Sequence, residues 1–136
     1  MILTDASALV ALLDRRDANH ALCLRALRQL RDEPMLTTWP PFTEAMYILG
    51  NIGGFSYQDS LWQLVTAGHL VLHDLTAAQI RRTEALMRKY HDTPMDLADA
   101  SLVTLAESQS LRQVFSLDSD FQIYRLADGT ALQLIP

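Results

Sequence analysis

Cysteine and lysine are scarce in this sequence: each occurs only once, as Cys23 and Lys89. A single cysteine excludes an internal disulfide, and we expect Cys23 to be a small buried apolar residue. The four histidines are scattered and show no zinc-ligand spacing. The longest apolar runs, such as residues 8–13, are far too short to span a bilayer, and the amino terminus lacks the features of a signal peptide. We therefore expect a cytoplasmic protein without a membrane partner.

The sequence also lacks polar or Pro/Gly-rich tracts that would indicate a disordered tail or a linker. Its 136 residues are 49% hydrophobic and 20% charged, which is typical of a folded globular protein. This length predicts one domain over residues 1–136. The net charge of −5 on its face argues against a nucleic-acid partner held by its phosphates.

Short apolar segments alternate with segments of helical periodicity along the chain, and no internal repeat is visible. The pattern predicts strands at 1–5, 35–38, 69–75, 112–118 and 131–135, and helices at 6–14, 18–31, 40–50, 57–67, 77–90 and 95–108. Such alternation is typical of an α/β fold in which helices cover both faces of a parallel sheet.

Carboxylates occur at the points where this chain is expected to reach one edge of the sheet. Asp5 and Asp118 end predicted strands, and Glu44 lies near the start of the helix after the second strand. Asp96 and Asp99 open the helix that leads into the strand ending at Asp118. Because strand carboxyl ends and the amino ends of the helices share one edge in such folds, we expect these acids to converge.

Asp120 follows two residues after Asp118 and can point either into the same space or to water. Each acid also has a structural explanation, as a helix cap, a first-turn acid or part of an Asx turn. Those explanations do not predict convergence. Like charges at close range raise one another's pKa, so the cluster needs a positive partner, and carboxylate oxygens favour a hard divalent cation, Mg²⁺ or Mn²⁺.

Four motifs resemble those of PIN-domain ribonucleases, and most closely the small toxins of VapC type. They are LTDASALVALL at 3–13, TTWPPFTEAMYIL at 37–49, PMDLADASLVTLA at 94–106 and VFSLDSDFQIYR at 114–125. The motifs occur in the family's order and spacing, and they span nearly the whole chain.

The resemblance implies a three-layer α/β/α sandwich with a five-stranded parallel sheet of strand order 3-2-1-4-5. The family's acidic quartet falls on four residues: Asp5, Glu44, Asp99 and Asp118. Two further acids match positions that are acidic in many members, with roles left open: Asp96 and Asp120. Ser116 matches a supporting Thr or Ser position, while Ser7 either supports the site or only starts its helix.

The resemblance implies Mg²⁺- or Mn²⁺-dependent hydrolysis of RNA phosphodiester bonds. In our hypothesis Asp5, Asp99 and Asp118 ligate the metal, and Glu44 orients or deprotonates the attacking water. Two alternatives remain open. A non-catalytic PIN-like module that binds RNA or protein would usually lack acids of the quartet, and none is missing. A Mg²⁺-dependent phosphatase would want an acid two residues after Asp5, where Ser7 stands.

The resemblance also implies partners: an RNA substrate, a small cognate antitoxin and a second copy of the chain in a homodimer. An aromatic-rich stretch either lines a groove for such a partner or packs between helices; it comprises Trp39, Phe42, Met46, Tyr47, Phe55 and Trp62. The negative charge is less adverse than it first looks. Without the six cluster acids, ten acidic residues face eleven basic ones, which leaves about +1.

Overall fold

The computed structural model describes residues 1–30 and 32–136, so that Arg31, the last residue of one predicted helix, lies outside the described residues. The strands are β1 (Ile2–Thr4), β2 (Met35–Thr38), β3 (Leu70–His73), β4 (Gln113–Phe115) and β5 (Gln133–Ile135). The helices are α1 (Ala6–Leu13), α2 (His20–Gln29), α3 (Trp39–Gly53), α4 (Phe55–Thr66), α5 (Ala77–Lys89) and α6 (Leu97–Gln109). A short 3-10 helix covers Ser119–Gln122.

The five strands form one parallel sheet in the order β3-β2-β1-β4-β5, which confirms the predicted strand order. At its centre, Leu3 of β1 pairs with Val114 of β4, and Ile2 pairs with Met35 of β2. The chain leaves β1 toward one side of the sheet and returns through β4 on the other. The two central strands therefore flank a switch point, where parallel α/β sheets commonly bind ligands.

Two apolar cores lie on opposite faces of this sheet because successive side chains of a strand point to opposite faces. Ile2 and Met35 belong to the core beneath α1 to α4, whereas Leu3 and Leu36 belong to the core beneath α5 and α6. The result is the predicted three-layer α/β/α sandwich. None of the helices in the described part of the chain is long and apolar enough to cross a bilayer.

Helix α6 is the most deeply buried helix of the second layer. Every residue from Ala98 to Ala106 is buried, although the sequence of the helix mixes apolar and polar side chains. Its internal hydroxyls have partners: Ser101 donates to the Ala98 carbonyl at 2.8 Å, and the Thr104 and Thr83 hydroxyls lie 2.9 Å apart. Burial holds the first turn of α6, which carries Asp99, against the edge of the sheet.

Asp5 follows β1 rather than ending it, because the strand stops at Thr4. Two further predicted positions at this edge were wrong in detail. The fourth strand ends at Phe115, so Asp118 does not end it; its carboxylate instead accepts the Asp120 N–H and caps the 3-10 helix. Helix α3 begins at Trp39, one residue before the predicted start at residue 40, and Glu44 lies in its second turn. Both differences arise because a cap and an X-Pro-Pro start fix the element ends locally, whatever the apolar pattern beyond them.

Candidate functional site

A cavity of about 250 Å³ lies at the carboxyl edge of the sheet, beside β1 and the loop after β4. Among the described residues, its lining includes six acids and no lysine or arginine: Asp5, Asp17, Glu44, Asp96, Asp99 and Asp118. The remaining lining residues are Ser7, Val10, Ile48 and Leu117. All four quartet positions and Asp96 thus face one space, as the sequence predicted. Asp120 lies outside the lining, and Asp17 was not predicted.

Asp5 is the most firmly held carboxylate of the cavity. It follows β1 directly, begins α1 and is 6% exposed. The hydroxyls of Ser7 and Ser116 both donate to its Oδ2, at 3.2 and 3.0 Å. Ser7 in turn accepts the Leu117 N–H, and Ser116 accepts the Asp118 N–H, each at 3.0 Å. The two serines therefore orient Asp5 and fasten the loop after β4 to the start of α1.

Asp96 and Asp99 form a reciprocal pair at the start of α6. The Asp99 N–H donates to Oδ1 of Asp96 at 2.8 Å, and the Asp96 N–H donates to Oδ2 of Asp99 at 3.4 Å. This capping box satisfies two backbone donors of the first turn. Asp96 is exposed and Asp99 is buried. Both acids therefore cap the helix and also line the cavity.

The remaining predicted acids are more open. Asp118 is half-buried, and Glu44 is exposed on α3. Asp120 lies on the 3-10 helix; desolvation and the Asp118 carboxylate raise its pKa.

Burial and mutual repulsion raise the pKa of three of the cavity acids, Asp5, Glu44 and Asp99. Burial, followed by the charge of Asp96, raises the pKa of Asp99 to about 7. Burial raises the pKa of Asp5, against the Ala6 backbone N–H and the two serines, which lower it. For Glu44, which is exposed, partial desolvation and then the charges of Asp5, Asp96 and Asp118 raise the pKa. These carboxylates are therefore close enough to interact electrostatically.

The donor set fits a divalent cation that prefers oxygen ligands. Carboxylate oxygens are hard donors, and a cation among them would reverse the repulsion that raises their pKa values. Within residues 1–30 and 32–136, no three acidic, histidine or cysteine side chains lie close enough together, as placed, to hold an ion. The residue types thus match the chemistry of such a site, but the described side chains lie too far apart to coordinate one ion together.

Tyr124 is a site residue that the sequence did not reveal. Its hydroxyl donates to Oδ2 of Asp99 at 2.9 Å, and the side chain is buried. No local pattern signals this contact, because it joins residues 25 positions apart, one on α6 and the other in the loop after the 3-10 helix. Asp17 was missed for the same reason, since it lies in the loop between α1 and α2, whose path over the cavity no periodicity predicts.

Comparisons with known proteins agree with the fold. The family model of the PIN domain matches residues 2–127. Ribonuclease VapC26 of Mycobacterium tuberculosis is 25% identical over 99% of this chain and 100% of its own length. The crystal structure of M. tuberculosis VapC20, described as a sarcin-ricin loop cleaving toxin, superimposes with a TM-score of 0.81 at 16% identity, covering 90% of this chain and 94% of its own. FitAcB from Neisseria gonorrhoeae gives a TM-score of 0.59 at 18% identity, with 88% of each chain covered.

Proposed function

This chain belongs to the PIN domain family, and from that premise we propose that it is a metal-dependent endoribonuclease, the toxin of a toxin–antitoxin pair. The observation that carries the proposal is the convergence of Asp5, Glu44, Asp99 and Asp118 on one cavity at the switch point of the sheet. The similarity to ribonuclease VapC26 along its whole length supports it. The acids come from four separate stretches of chain, so local capping does not account for their meeting.

Asp5, Asp99 and Asp118 would hold the cation, Mg²⁺ or Mn²⁺, with Asp96 and Asp120 as additional candidates. When bound, it supplies charge neutralisation at the phosphate and a lower pKa for a coordinated water. Glu44 is exposed at the mouth of the cavity, and its raised pKa suits a group that takes a proton from the attacking water. The hydroxyls of Ser7 and Ser116 orient Asp5 through their hydrogen bonds to its Oδ2.

Charge in the cavity supports a requirement for metal. In the part of the chain that the structure describes, the lining would present an RNA phosphate with six acids and no basic side chain. At close range that repulsion opposes binding of a polyanion. A cation held by these acids would turn the same surface into one that attracts the phosphate.

Two observations weigh against the alternative functions. A non-catalytic module has no need for buried, mutually repelling acids, yet Asp5 and Asp99 are each 6% exposed. A phosphatase of the aspartyl-nucleophile type needs an acid at the position of Ser7, and here the Ser7 hydroxyl instead donates to Asp5.

Partners follow from the same proposal. Exposed apolar side chains on α3 and α4 offer a surface for a cognate antitoxin or a second copy of the chain: Tyr47, Ile52, Phe55 and Trp62. Tyr47 and Phe55 are 70% and 72% exposed, so replacing both with serine should leave the fold intact. If this surface forms the homodimer, light scattering should show a dimer for the wild type and a monomer for the double variant.

The decisive experiment is cleavage of single-stranded and structured RNA by purified protein with Mg²⁺ or Mn²⁺. EDTA should abolish cleavage because it removes the divalent cation. Asp5→Asn should abolish it because asparagine keeps an acceptor oxygen but lacks the negative charge that would hold the cation. Asp14→Asn is a matched control, since Asp14 is also buried but lies outside the cavity lining. It should retain activity.

Contaminating nucleases make these variants essential. Cleavage that survives both EDTA and Asp5→Asn would reject the metal-dependent mechanism. Absence of cleavage by the wild type under every condition would favour the binding module instead.

A further inference from the structure

We propose that Tyr124 is a positioning residue, which holds the Asp99 carboxylate so that one of its oxygens remains available to a divalent cation. The proposal rests on the proposed function and extends it to a residue outside the acidic cluster. Tyr124 does not line the cavity, and its hydroxyl reaches the site through the hydrogen bond to Asp99.

The hydrogen bonds of Asp99 separate its two oxygens. Oδ2 accepts the Tyr124 hydroxyl at 2.9 Å and the Asp96 N–H at 3.4 Å. Within the described residues, Oδ1 accepts no hydrogen bond from another side chain or from the backbone. One face of the carboxylate is therefore fixed by donors, while the other is left for a ligand. A metal-binding carboxylate is commonly oriented in this way by a donor on its outer side.

The ring of Tyr124 has little freedom to choose another partner. It packs edge-on against Tyr90, with ring centroids 5.3 Å apart at 64°, and against Phe121, at 5.8 Å and 84°. Tyr124 is 2% exposed and Phe121 is fully buried. Phe121 lies on the 3-10 helix that Asp118 caps. Tyr124, which donates to Asp99, thus packs on the 3-10 helix whose cap is Asp118, a second acid of the cavity.

The phenol is suited to act as a constant donor. A phenol ordinarily loses its proton only near pH 10, so the hydroxyl remains a donor throughout the neutral range. A donor of this kind stabilises the ionised form of Asp99, which is the form that binds a cation.

Tyr90 provides a matched control within the same aromatic cluster. Its hydroxyl accepts the backbone N–H of Arg125 at 2.9 Å, and among the described residues it makes no hydrogen bond to an acid of the cavity. Tyr90→Phe and Tyr124→Phe each remove one hydroxyl from a buried, T-shaped pair. A purely structural role would make the two variants alike, whereas a positioning role separates them.

The test measures Mn²⁺ affinity of the metal-free protein by isothermal titration calorimetry, with thermal unfolding of the same samples. Tyr124→Phe should weaken Mn²⁺ binding by about tenfold to a hundredfold, the usual effect of losing an outer partner of a metal ligand, while Tyr90→Phe should change it by less than about twofold. RNA cleavage by Tyr124→Phe should recover as Mn²⁺ is raised. Cleavage by Asp99→Asn should not recover.

Equal Mn²⁺ affinities for Tyr124→Phe and Tyr90→Phe, in a wild type that binds Mn²⁺ and cleaves RNA, would overturn the role of Tyr124 and leave the proposed function standing. A wild type that neither binds Mn²⁺ nor cleaves RNA would overturn both the role of Tyr124 and the proposed function. If Tyr124→Phe does not fold, a crystal structure of the wild type with Mn²⁺ decides. If Oδ1 of Asp99 coordinates the ion while Oδ2 keeps its hydrogen bond from Tyr124, the role is supported. If Oδ2 coordinates the ion, the role is overturned.

Discussion

The Ser116 hydroxyl donates a hydrogen bond to Oδ2 of Asp5 at 3.0 Å, joining residues 111 positions apart in the sequence. The same hydroxyl accepts the Asp118 N–H at 3.0 Å. A single buried side chain therefore connects the acid that follows β1 with the loop that carries the acid after β4. Its contacts explain how two carboxylates from opposite ends of the chain are held beside one cavity.

Ser116→Ala should lower both stability and nuclease activity. The change leaves the half-buried Asp118 N–H without its acceptor and removes a donor from Asp5, which should cost about 1–3 kcal/mol of unfolding free energy. Activity should fall by about tenfold or more, because both acids lose orientation. Urea unfolding and RNA cleavage under saturating Mn²⁺ measure the two effects.

Ser7→Ala is the comparison for that variant, since Ser7 also donates to Asp5 and accepts the Leu117 N–H. The two hydroxyls lie 3.3 Å apart. Their effects on stability should therefore not add in the double variant. Strict additivity would show that the two serines act independently.

Stability of the metal-free protein should fall as the pH rises from 5 to 8. The pKa of Asp99 is raised to about 7 in the folded state, against about 3.9 for an unfolded aspartate. Between those values the folded state binds more protons than the unfolded state, so deprotonation on raising the pH favours unfolding. The raised pKa values of Asp5 and Glu44 act in the same direction. Chemical unfolding in EDTA at each pH measures the trend.

Asp99→Asn should flatten this dependence, because the amide does not titrate. The window above pH 5 also avoids Asp128, whose pKa is lowered to about 2 by the Thr130 hydroxyl and then by further donors, so that its contribution is lost only in more acidic solution. An unchanged slope in Asp99→Asn would show that other groups govern the pH response.

Divalent metal should stabilise the folded protein, and more strongly at pH 8 than at pH 5.5. Ligand at a hundred times its Kd adds about 2.7 kcal/mol to the unfolding free energy. Protons compete with the ion for the same carboxylates, so the gain should shrink as the pH falls. Thermal unfolding with and without Mn²⁺ measures it, and Asp5→Asn should show little gain. A gain in Asp5→Asn equal to that of the wild type would place the ion elsewhere.

Glu107→Gln should reduce stability without affecting activity. Glu107 on α6 accepts two hydrogen bonds from Arg82 of α5, both at 2.9 Å, and the Ala127 N–H at 3.0 Å. Its side chain is only 17% exposed, so weakening this network should cost about 1–3 kcal/mol. RNA cleavage at 25 °C should stay within about twofold, since the pair lies outside the cavity lining.

Glu84→Gln provides the surface comparison for that change. Glu84 pairs with Arg88 one turn further along α5, and the two side chains are 60% and 78% exposed. Its loss should cost no more than about 0.5 kcal/mol. Equal losses for the two variants would contradict the role given to burial.

Much of the fold follows from local pattern. Short apolar runs such as Ile2–Thr4 and Met35–Thr38, each followed by a helical segment, are sufficient to predict a parallel sheet with helices on both of its faces. The positions of Asp5 and Asp99 follow from the same logic, because chain direction in a layered α/β fold decides which element ends share an edge. Strand ends were less predictable: the apolar pattern continues through Leu117, beyond the point where pairing stops at Phe115.

The sequence by itself determined the layers, the strand order through its resemblance to PIN domains, and five of the six acids that line the cavity. Only the tertiary structure decided how those acids are held. The hydrogen bonds from Ser116 to Asp5 and from Tyr124 to Asp99 depend on loop paths and on the rotation of packed elements. Periodicity fixes which face of an element is buried but not the angle at which it packs. The orientation of each carboxylate is therefore a property of the assembled core.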